Sequence, residues 1–498
     1  MTERNLSPRS LHDRAQASRW FPAYAFAVLA LLCFAAYLVR YPVLGSGNFL
    51  SGNLSNYNVW YCGLQAVKER RDPYLVEPIR TCEQNAEPQI HRKPWSVTPM
   101  PLPGYTLALL APVLLLPYTT GKVLWLLLTL AALAFSAWCL TRLTRLPFAP
   151  LLAVMAPALF VLQIMYAGIE PFAVAALCAA ALALERNRFT FAVVLAAFAM
   201  VEPHVGLPAV LALAILVPRA RIALAGSLVA LALLSVGMLG LATNVEYVRV
   251  VLPAQSAAES LYSFYQFGLT HVLWLLGAPA KVATTLGSLS YVATIALGIA
   301  VAARMRSGYG RAAAIVLVPV ATSLFGGPYV HNHQIAAALP GALLLAVLDA
   351  RLAWAAAVAV AMLAFPPLYD VRLQEALACF AVVTAIALLF GKWSWPRRLA
   401  FGVALAGALA VTMQLDERLP HAAMHETAQP QLIRADMPAS AAWGYLLRWS
   451  PGAAVDDART LVVKLPWWFA LLALTVSAAD LQRGARRKDA MEGSPTAA

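Results

Sequence analysis

The chain has 498 residues, of which 61% are hydrophobic and only 12% are charged, and its mean hydropathy is +0.68. A soluble globular domain contains about 45–50% apolar and about 25% charged residues, so this composition excludes a soluble globule. The formal net charge of +13 comes from basic residues that lie singly or in pairs between apolar runs. That distribution is typical of membrane topology and not of a nucleic-acid-binding surface.

The apolar runs predict an all-α polytopic membrane protein. A helix needs about 20 apolar residues to cross a hydrocarbon core of about 30 Å, and by this measure the chain contains about 12–14 spans. The first is interpreted as a retained span, because no small-residue cleavage site and soluble domain follow it. The candidate spans are 21–40, 120–142, 147–165, 169–185, 187–202, 204–218, 221–242, 281–303, 312–326, 334–349, 352–366, 373–390, 398–413 and 461–480.

The arginines predict the orientation of the spans. If residues 1–20 are cytoplasmic, the positive-inside rule places the later basic turns, beginning with Arg142 and Arg145, on the cytoplasmic side. The alternation holds only if residues 102–117, which prolines interrupt, form a re-entrant or interfacial helix. The prediction is then one membrane domain at 21–480, outer loops carrying short amphipathic helices at 41–101, 243–280 and 414–460, and a cytoplasmic tail at 481–498.

Four polar clusters fall on the predicted outer face. Ionisable groups at membrane depth cost about 2.5–3.5 kcal/mol or more, which makes them functional candidates. The clusters are residues 53–61 with 71–74, residues 168–171, residues 201–204 and residues 326–333.

Each cluster also has a purely structural interpretation. Glu170 and Glu202 precede prolines, and an acid followed by proline is typical of a helix start. His331 and His333 could cap the following span, and the aromatic residues near Tyr57 could form an interfacial belt. The convergence of carboxylates, imidazoles and aromatic rings on one face favours a functional site.

The cysteines leave one question open. Cys62 and Cys82 share the first outer loop, where they form either a disulfide or two free thiols, and the other four cysteines lie inside apolar runs. A disulfide requires that the loop face an oxidising compartment. No Cys/His spacing indicates a metal, and neither a metal nor another cofactor is expected.

The ordered motifs resemble a known family. Residues 56–61 (NYNVWY), 71–74 (RDPY) and 99–103 (PMPLP) resemble the beginning of family 87 glycosyltransferases, which are polyprenol-phosphate-sugar-dependent mannosyltransferases of the GT-C superfamily. Later segments follow in the family's order. They are residues 167–171 (AGIEP), 202–204 (EPH), 266–270 (QFGLT) and 327–333 (GPYVHNH), and the resemblance covers roughly residues 20–390.

The resemblance implies a GT-C-like bundle that transfers a sugar, mannose by analogy, with inversion. The implied partners are a polyprenyl-phosphate-sugar donor, a lipid or glycan acceptor and membrane lipids, without nucleic acid. The implied location is a bacterial inner membrane, with the site on the outer face and both termini cytoplasmic. The implied catalytic positions are Glu170, Glu202 and Asn56; the substrate-binding positions are Tyr57, Tyr61, Asp72, Tyr74, His204, Gln266, His331 and His333.

One position departs from the family in a way that matters for the chemistry. The family's catalytic acid falls on Asn56, and an amide cannot act as a general base. Either Glu170 or Glu202 has taken over this role, or the chain is an inactive scaffold derived from a transferase. Histidines and an outer-loop arginine, Arg249 or Arg372, are candidates to meet the leaving phosphate.

A lipid or solute transporter is the other alternative. Transporters often contain internal repeats and half-helices near the midplane of the bilayer. The sequence shows neither an obvious repeat nor charges at the centres of its spans.

Overall fold

The protein is described here from a computed structural model, over residues 54–86, 95–156, 166–262, 266–331, 333–348 and 432–449. In these ranges the chain is helical, and two isolated β-bridges are the only extended pairings. The all-α membrane architecture is thereby confirmed. The predicted spans at 21–40, 352–366, 373–390, 398–413 and 461–480, and both terminal segments, lie outside the described residues.

The helices are numbered in chain order. They are α1 (Ser55–Lys68), α2 (Val76–Ala86), α3 (Gly104–Leu114), α4 (Tyr118–Thr144), α5 (Phe148–Ala156), α6 (Glu170–Glu185), α7 (Phe189–Phe198), α8 (Pro203–Leu216), α9 (Arg221–Glu246), α10 (Leu252–Tyr262), α11 (Leu269–Leu275), α12 (Ala280–Tyr309), α13 (Ala314–Gly326), α14 (Leu339–Leu348) and α15 (Ala439–Trp449). Short 3₁₀ turns connect some of them, at Ala199–Val201, Pro218–Ala220 and Gln334–Ala338.

Three helical stretches in the described ranges are long and apolar enough to cross a membrane: Tyr118–Thr144, Pro218–Tyr262 and Ala280–Ser307. The shorter helix α6 lies inside the bundle, where 14 of its 16 residues are buried. Its repeated alanines allow neighbouring helices to approach closely, which is how helices associate in a membrane. This central helix begins at a charged residue, Glu170.

The segment predicted to be interfacial is short. Helix α3 has 11 residues, which corresponds to about 16 Å and is too little for a hydrocarbon core of about 30 Å. It packs against α9, and its Tyr105 N–H donates to Ser235 Oγ at 3.2 Å.

Helix α9 extends beyond the predicted boundary at residue 242. The chain remains helical through a π turn at Tyr247–Val251 and into α10, with one break at Gly240, where φ is +77°. The Asn244 side chain donates to the carbonyl oxygens of Ser235 and Gly240, at 2.9 and 2.6 Å. It thereby satisfies carbonyls near the break, which is how a kinked apolar helix remains helical.

Helices α1 and α2 pack with residues 432–449 into a small unit that we call the cap. Cys62 and Cys82 form a disulfide inside it, which resolves the question left open by the sequence. The backbone N–H of Val76 donates to Met437 O at 3.0 Å, and that of Ala439 donates to Tyr74 O at 2.7 Å. A second small apolar core fills the cap.

Basic residues gather at the opposite end of the bundle from Glu170. Arg221 Nε donates to Ala214 O at 2.7 Å, and Arg306 donates to Leu216 O at 2.7 Å. Both acceptors lie in the last turns of α8. Glu170 and Glu185 are the first and last residues of the 16-residue helix α6, and they lie about 22 Å apart along its axis. The carboxylate-rich and arginine-rich ends therefore lie on opposite sides of the apolar bundle.

The contact between α1 and α4 depends on Gly121. A Cβ added there would lie 1.8 Å from Tyr57 Oη and 3.1 Å from Val113 O. We expect Gly121→Ala to destabilise the protein by about 1–3 kcal/mol, because the buried ring must move. A lower thermal midpoint in detergent would show this.

Gly226→Ala is the matched control. Nothing lies within 4 Å of its added Cβ, and Gly226 is inside helix α9, so the exchange should be neutral or stabilising by up to about 1 kcal/mol. Equal thermal midpoints for the two variants would contradict the packing that we describe.

Candidate functional site

A cavity of about 890 Å³ lies where α6 and α8 begin. Three carboxylates and three imidazoles line it together: Glu170, Glu202, Glu259, His204, His331 and His333. Its walls come from the bundle, from α9 and α10, and from the cap. The site is thus assembled from distant parts of the chain.

Glu170 is placed by the beginning of α6. Ala167 adopts a left-handed conformation with φ of 52°, and its carbonyl accepts the indole N–H of Trp60 at 3.2 Å. The chain then enters α6, with Pro171 in the first turn. The Glu170 side chain is buried, its Oε1 lies 3.0 Å from His333 Nε2, and its Oε2 has no hydrogen-bond partner among the described residues.

Glu202 is placed by the break between α7 and α8. Its backbone is extended, and Pro203 begins the next helix. Glu202 Oε1 lies 2.9 Å from His204 Nε2 and accepts the Gln334 amide at 3.3 Å. The Tyr105 hydroxyl donates to the Met200 carbonyl at 3.0 Å, which fixes the preceding turn.

Glu259 forms a third pair, which the sequence motifs did not reveal. Its Oε2 lies 3.5 Å from His331 Nε2, and its Oε1 accepts the Trp443 indole N–H at 2.6 Å and the Gln255 amide at 3.2 Å. Gln255 and Glu259 lie four residues apart on α10, a spacing that places them on one helix face. That spacing was the available signal, but it is too common to identify a site.

The histidine turn links two of the pairs. The rings of His331 and His333 stack with centroids 5.1 Å apart. The His331 N–H donates to Gln334 Oε1 at 2.9 Å, and the Phe267 N–H donates to the Val330 carbonyl at 2.8 Å. These bonds fix the backbone that presents both rings to the cavity.

The two stacked histidines have opposite electrostatic environments. Burial by itself lowers the pKa of His333, but the charge and the hydrogen bond of Glu170 raise it above the ordinary value of 6.5. Burial lowers the pKa of His331 well below that value, and the charges of His333 and His204 lower it further. The two shifts favour the cationic form of His333 and the neutral form of His331.

Most of the polar positions predicted from the sequence meet at the cavity. Asn56 lines it, together with Glu170, Glu202 and the predicted histidines. Arg249 is exposed and does not line the cavity. Arg372 lies outside the described residues.

The predicted tyrosines lie behind the wall of the cavity. Tyr57 is fully buried, and its ring packs 6.4 Å from that of Tyr61 and 5.7 Å from that of Trp125. The Tyr74 hydroxyl donates to the Leu102 carbonyl at 2.8 Å. These rings contribute to the packing that supports α1.

Asp72 and Gln266 also lie away from the lining. Asp72 Oδ1 accepts the Tyr74 N–H at 2.8 Å, which stabilises a turn. Gln266 is fully buried, forms a β-bridge with His331, and finds no side-chain partner among the described residues. Both residues shape the backbone around the cavity.

The Glu170–His333 pair should make stability depend on pH. Because the folded-state pKa of His333 is raised, the pair stabilises the fold fully below the unfolded value of about 6.5, and this contribution is lost as the pH rises through the folded value. His333→Gln should therefore lower the thermal midpoint more at about pH 5.5 than at about pH 9.

The Glu170→Gln background is the control for this experiment. Without the carboxylate, the additional effect of His333→Gln should lose most of its dependence on pH. An equal loss at both pH values in the chain with Glu170 intact would contradict the assigned pairing.

Comparison with known proteins finds one similarity, in the part of the chain that supplies most of the cavity lining. Residues 103–328 match the model of glycosyltransferase family 87. Neither the curated proteins nor the solved structures contain a significant match. The matched range includes Glu170, Glu202 and Glu259, but begins after Asn56 and ends before His331. Residues 103–328 are thus similar to the glycosyltransferases of family 87, a family of GT-C-like membrane glycosyltransferases.

Proposed function

We propose that the protein transfers a sugar, mannose by family resemblance, from a polyprenyl-phosphate donor to a hydroxyl of a lipid or glycan acceptor, with inversion. The observation that carries the proposal is the meeting of three carboxylate–imidazole pairs in one cavity that also has an apolar wall. Most of this cavity lies in the matched range.

The apolar wall supports a lipid-linked donor. Leu228, Leu231 and Val236 of α9 line the cavity. Other side chains of the same helix are exposed in the described structure, including Ile222 at 89% and Leu233 at 68%. A helix that is apolar on both sides can separate a cavity from lipid, so a polyprenyl chain can lie along it with its phosphate towards the polar end.

A carboxylate is the proposed base. It takes the proton of the acceptor hydroxyl, and the acceptor oxygen attacks the anomeric carbon as the bond from that carbon to the phosphate oxygen breaks. Glu170 and Glu202 are the candidates, because Asn56 lines the cavity but cannot accept this proton. The electron pair of the broken bond leaves on the polyprenyl phosphate.

The leaving phosphate needs positive charge or hydrogen-bond donors. The described residues that line the cavity include no lysine or arginine. His333 is the candidate cation, since Glu170 raises its pKa. The neutral His331 beside it can donate a hydrogen bond without adding charge.

The orientation of the protein in the membrane is proposed from the different chemistry of the two ends of the helical bundle. The Cys62–Cys82 disulfide lies in the cap beside the cavity, and disulfides persist in oxidising compartments. Arginines gather at the other end, as the positive-inside rule requires of a cytoplasmic face. We place the site on the outer face of a bacterial inner membrane, with both termini cytoplasmic.

Glutamine substitutions test the assignment of the base. We expect Glu170→Gln or Glu202→Gln to reduce label transfer from polyprenyl-phosphate mannose by about 10²–10⁴-fold, the usual contribution of a general base. Membranes with equal amounts of each protein would be compared. The matched control is Glu246→Gln, since Glu246 is exposed and does not line the cavity. Full transfer by both cavity variants would refute a carboxylate base at these positions.

One observation favours the inactive-scaffold alternative. Asn56 lines the cavity where the family resemblance expects an acid. A scaffold would transfer no label from any of several polyprenyl-phosphate donors. Its cellular phenotype would also survive the combined removal of Glu170, Glu202 and Glu259.

A further inference from the structure

We infer that Gln255, Glu259 and Trp443 form a subsite for the acceptor, and that the group it binds is a polyhydroxylated ring such as a pyranose or a cyclitol. The inference deepens the proposed function, on which it rests in assigning the ring to the acceptor. All three residues line the cavity. They come from α10 and α15, and α15 lies outside the range that matches the family.

The first support is an unsatisfied hydrogen-bond acceptor. Gln255 is only 6% exposed, and its Nε2 donates to Glu259 Oε1 at 3.2 Å. Its Oε1 has no partner among the described residues. A buried amide oxygen without a donor is unfavourable, and a ligand hydroxyl in the cavity would satisfy it.

The second support is the fixed indole of Trp443. Its N–H donates to Glu259 Oε1 at 2.6 Å, which sets the position of the ring edge. A sugar or cyclitol ring has apolar C–H faces and a rim of hydroxyls. An aromatic face beside an amide and a carboxylate offers contacts for both parts, in the manner of a pocket with a few placed polar groups.

The position of the subsite favours the acceptor over the donor lipid. Trp443 belongs to the cap, which is built from α1, α2 and residues 432–449, whereas the apolar wall of the cavity belongs to α9. A hydrophilic acceptor can therefore enter beside the cap while the donor chain lies along α9. Glu259 Oε2 lies 3.5 Å from His331 Nε2, so a ring bound here would adjoin the carboxylate–imidazole centre.

A purely structural role explains only part of this arrangement. The bond from Trp443 to Glu259 could serve to attach α15 to α10. Attachment accounts for the indole N–H, but it leaves the buried side-chain oxygen of Gln255, a residue that lines the cavity, without a donor among the described residues. A ligand hydroxyl that donates to this oxygen would account for what attachment leaves unexplained.

Ligand-observed NMR on the full chain in lipid nanodiscs, without donor, tests the subsite directly. Saturation transfer would be measured to methyl α-mannopyranoside and myo-inositol, with glycerol as a polyol that has no ring. We expect saturation of both rings and not of glycerol. Gln255→Leu should weaken ring binding by about 2–12-fold, which corresponds to one neutral hydrogen bond.

Two tryptophan variants separate stacking from hydrogen bonding. Trp443→Ala should abolish the ring signals, whereas Trp443→Phe keeps an aromatic face, loses the N–H and should retain a weakened signal. Trp138→Phe is the matched control, because Trp138 is 40% exposed on α4 and does not line the cavity. Unchanged ring signals in Gln255→Leu and Trp443→Phe would overturn the subsite.

Transfer assays distinguish failure of the subsite from failure of the proposed function. Ring binding that depends on Gln255 and Trp443, without transfer from any donor, would support the subsite and refute the transferase. Transfer without such binding would refute the subsite alone. Stronger saturation of octyl α-mannopyranoside than of the methyl glycoside would indicate a glycolipid headgroup, and equal saturation a soluble glycan.

Discussion

The site depends on the requirement that a carboxylate buried in an apolar bundle must have a partner. An unpaired charge in such surroundings is strongly unfavourable, and removing one partner of a buried pair costs about 3–5 kcal/mol. Glu170, Glu202 and Glu259 each have an imidazole within 3.5 Å. Paired in this way, the three acids can lie in one cavity.

That requirement explains the local irregularity of the helices around the cavity. The histidines lie at the start of α8 and in the turn before residue 334. The three carboxylates lie at the start of α6, at the break between α7 and α8, and in α10, which follows the π turn. A continuous helix presents one side chain per 1.5 Å in a fixed rotation, whereas helix starts and breaks can direct polar groups to a common point. The irregular backbone lies where it borders the polar cavity, as expected for a membrane protein.

Apolar length, proline and charge predicted the all-α bundle and brought Glu170, Glu202, His204, His331 and His333 into consideration, because each is a polar residue in apolar surroundings. Glu259 escaped attention, because it lies in a segment of ordinary polarity and meets His331 and Trp443 only through tertiary packing. The tyrosines that were predicted to bind substrate do not line the cavity. Aromatic residues near an interface are equally compatible with a binding wall and with a packed core, so the sequence could not distinguish the two. Tyr57 lies in the core because Gly121 leaves room for its ring.

The amide at Asn56 need not remove the capacity for proton transfer from the cavity. A general base is defined by its reach to the acceptor hydroxyl and by its protonation state, and any wall of the cavity can supply it. Asn56 and the three carboxylates line the same cavity of about 890 Å³. Glu259 is held by Trp443 and Gln255 as well as by His331, whereas Glu170 Oε2 has no partner in the described structure. We therefore propose Glu170 as a base on a different wall of the cavity from Asn56, with Glu259 holding the acceptor.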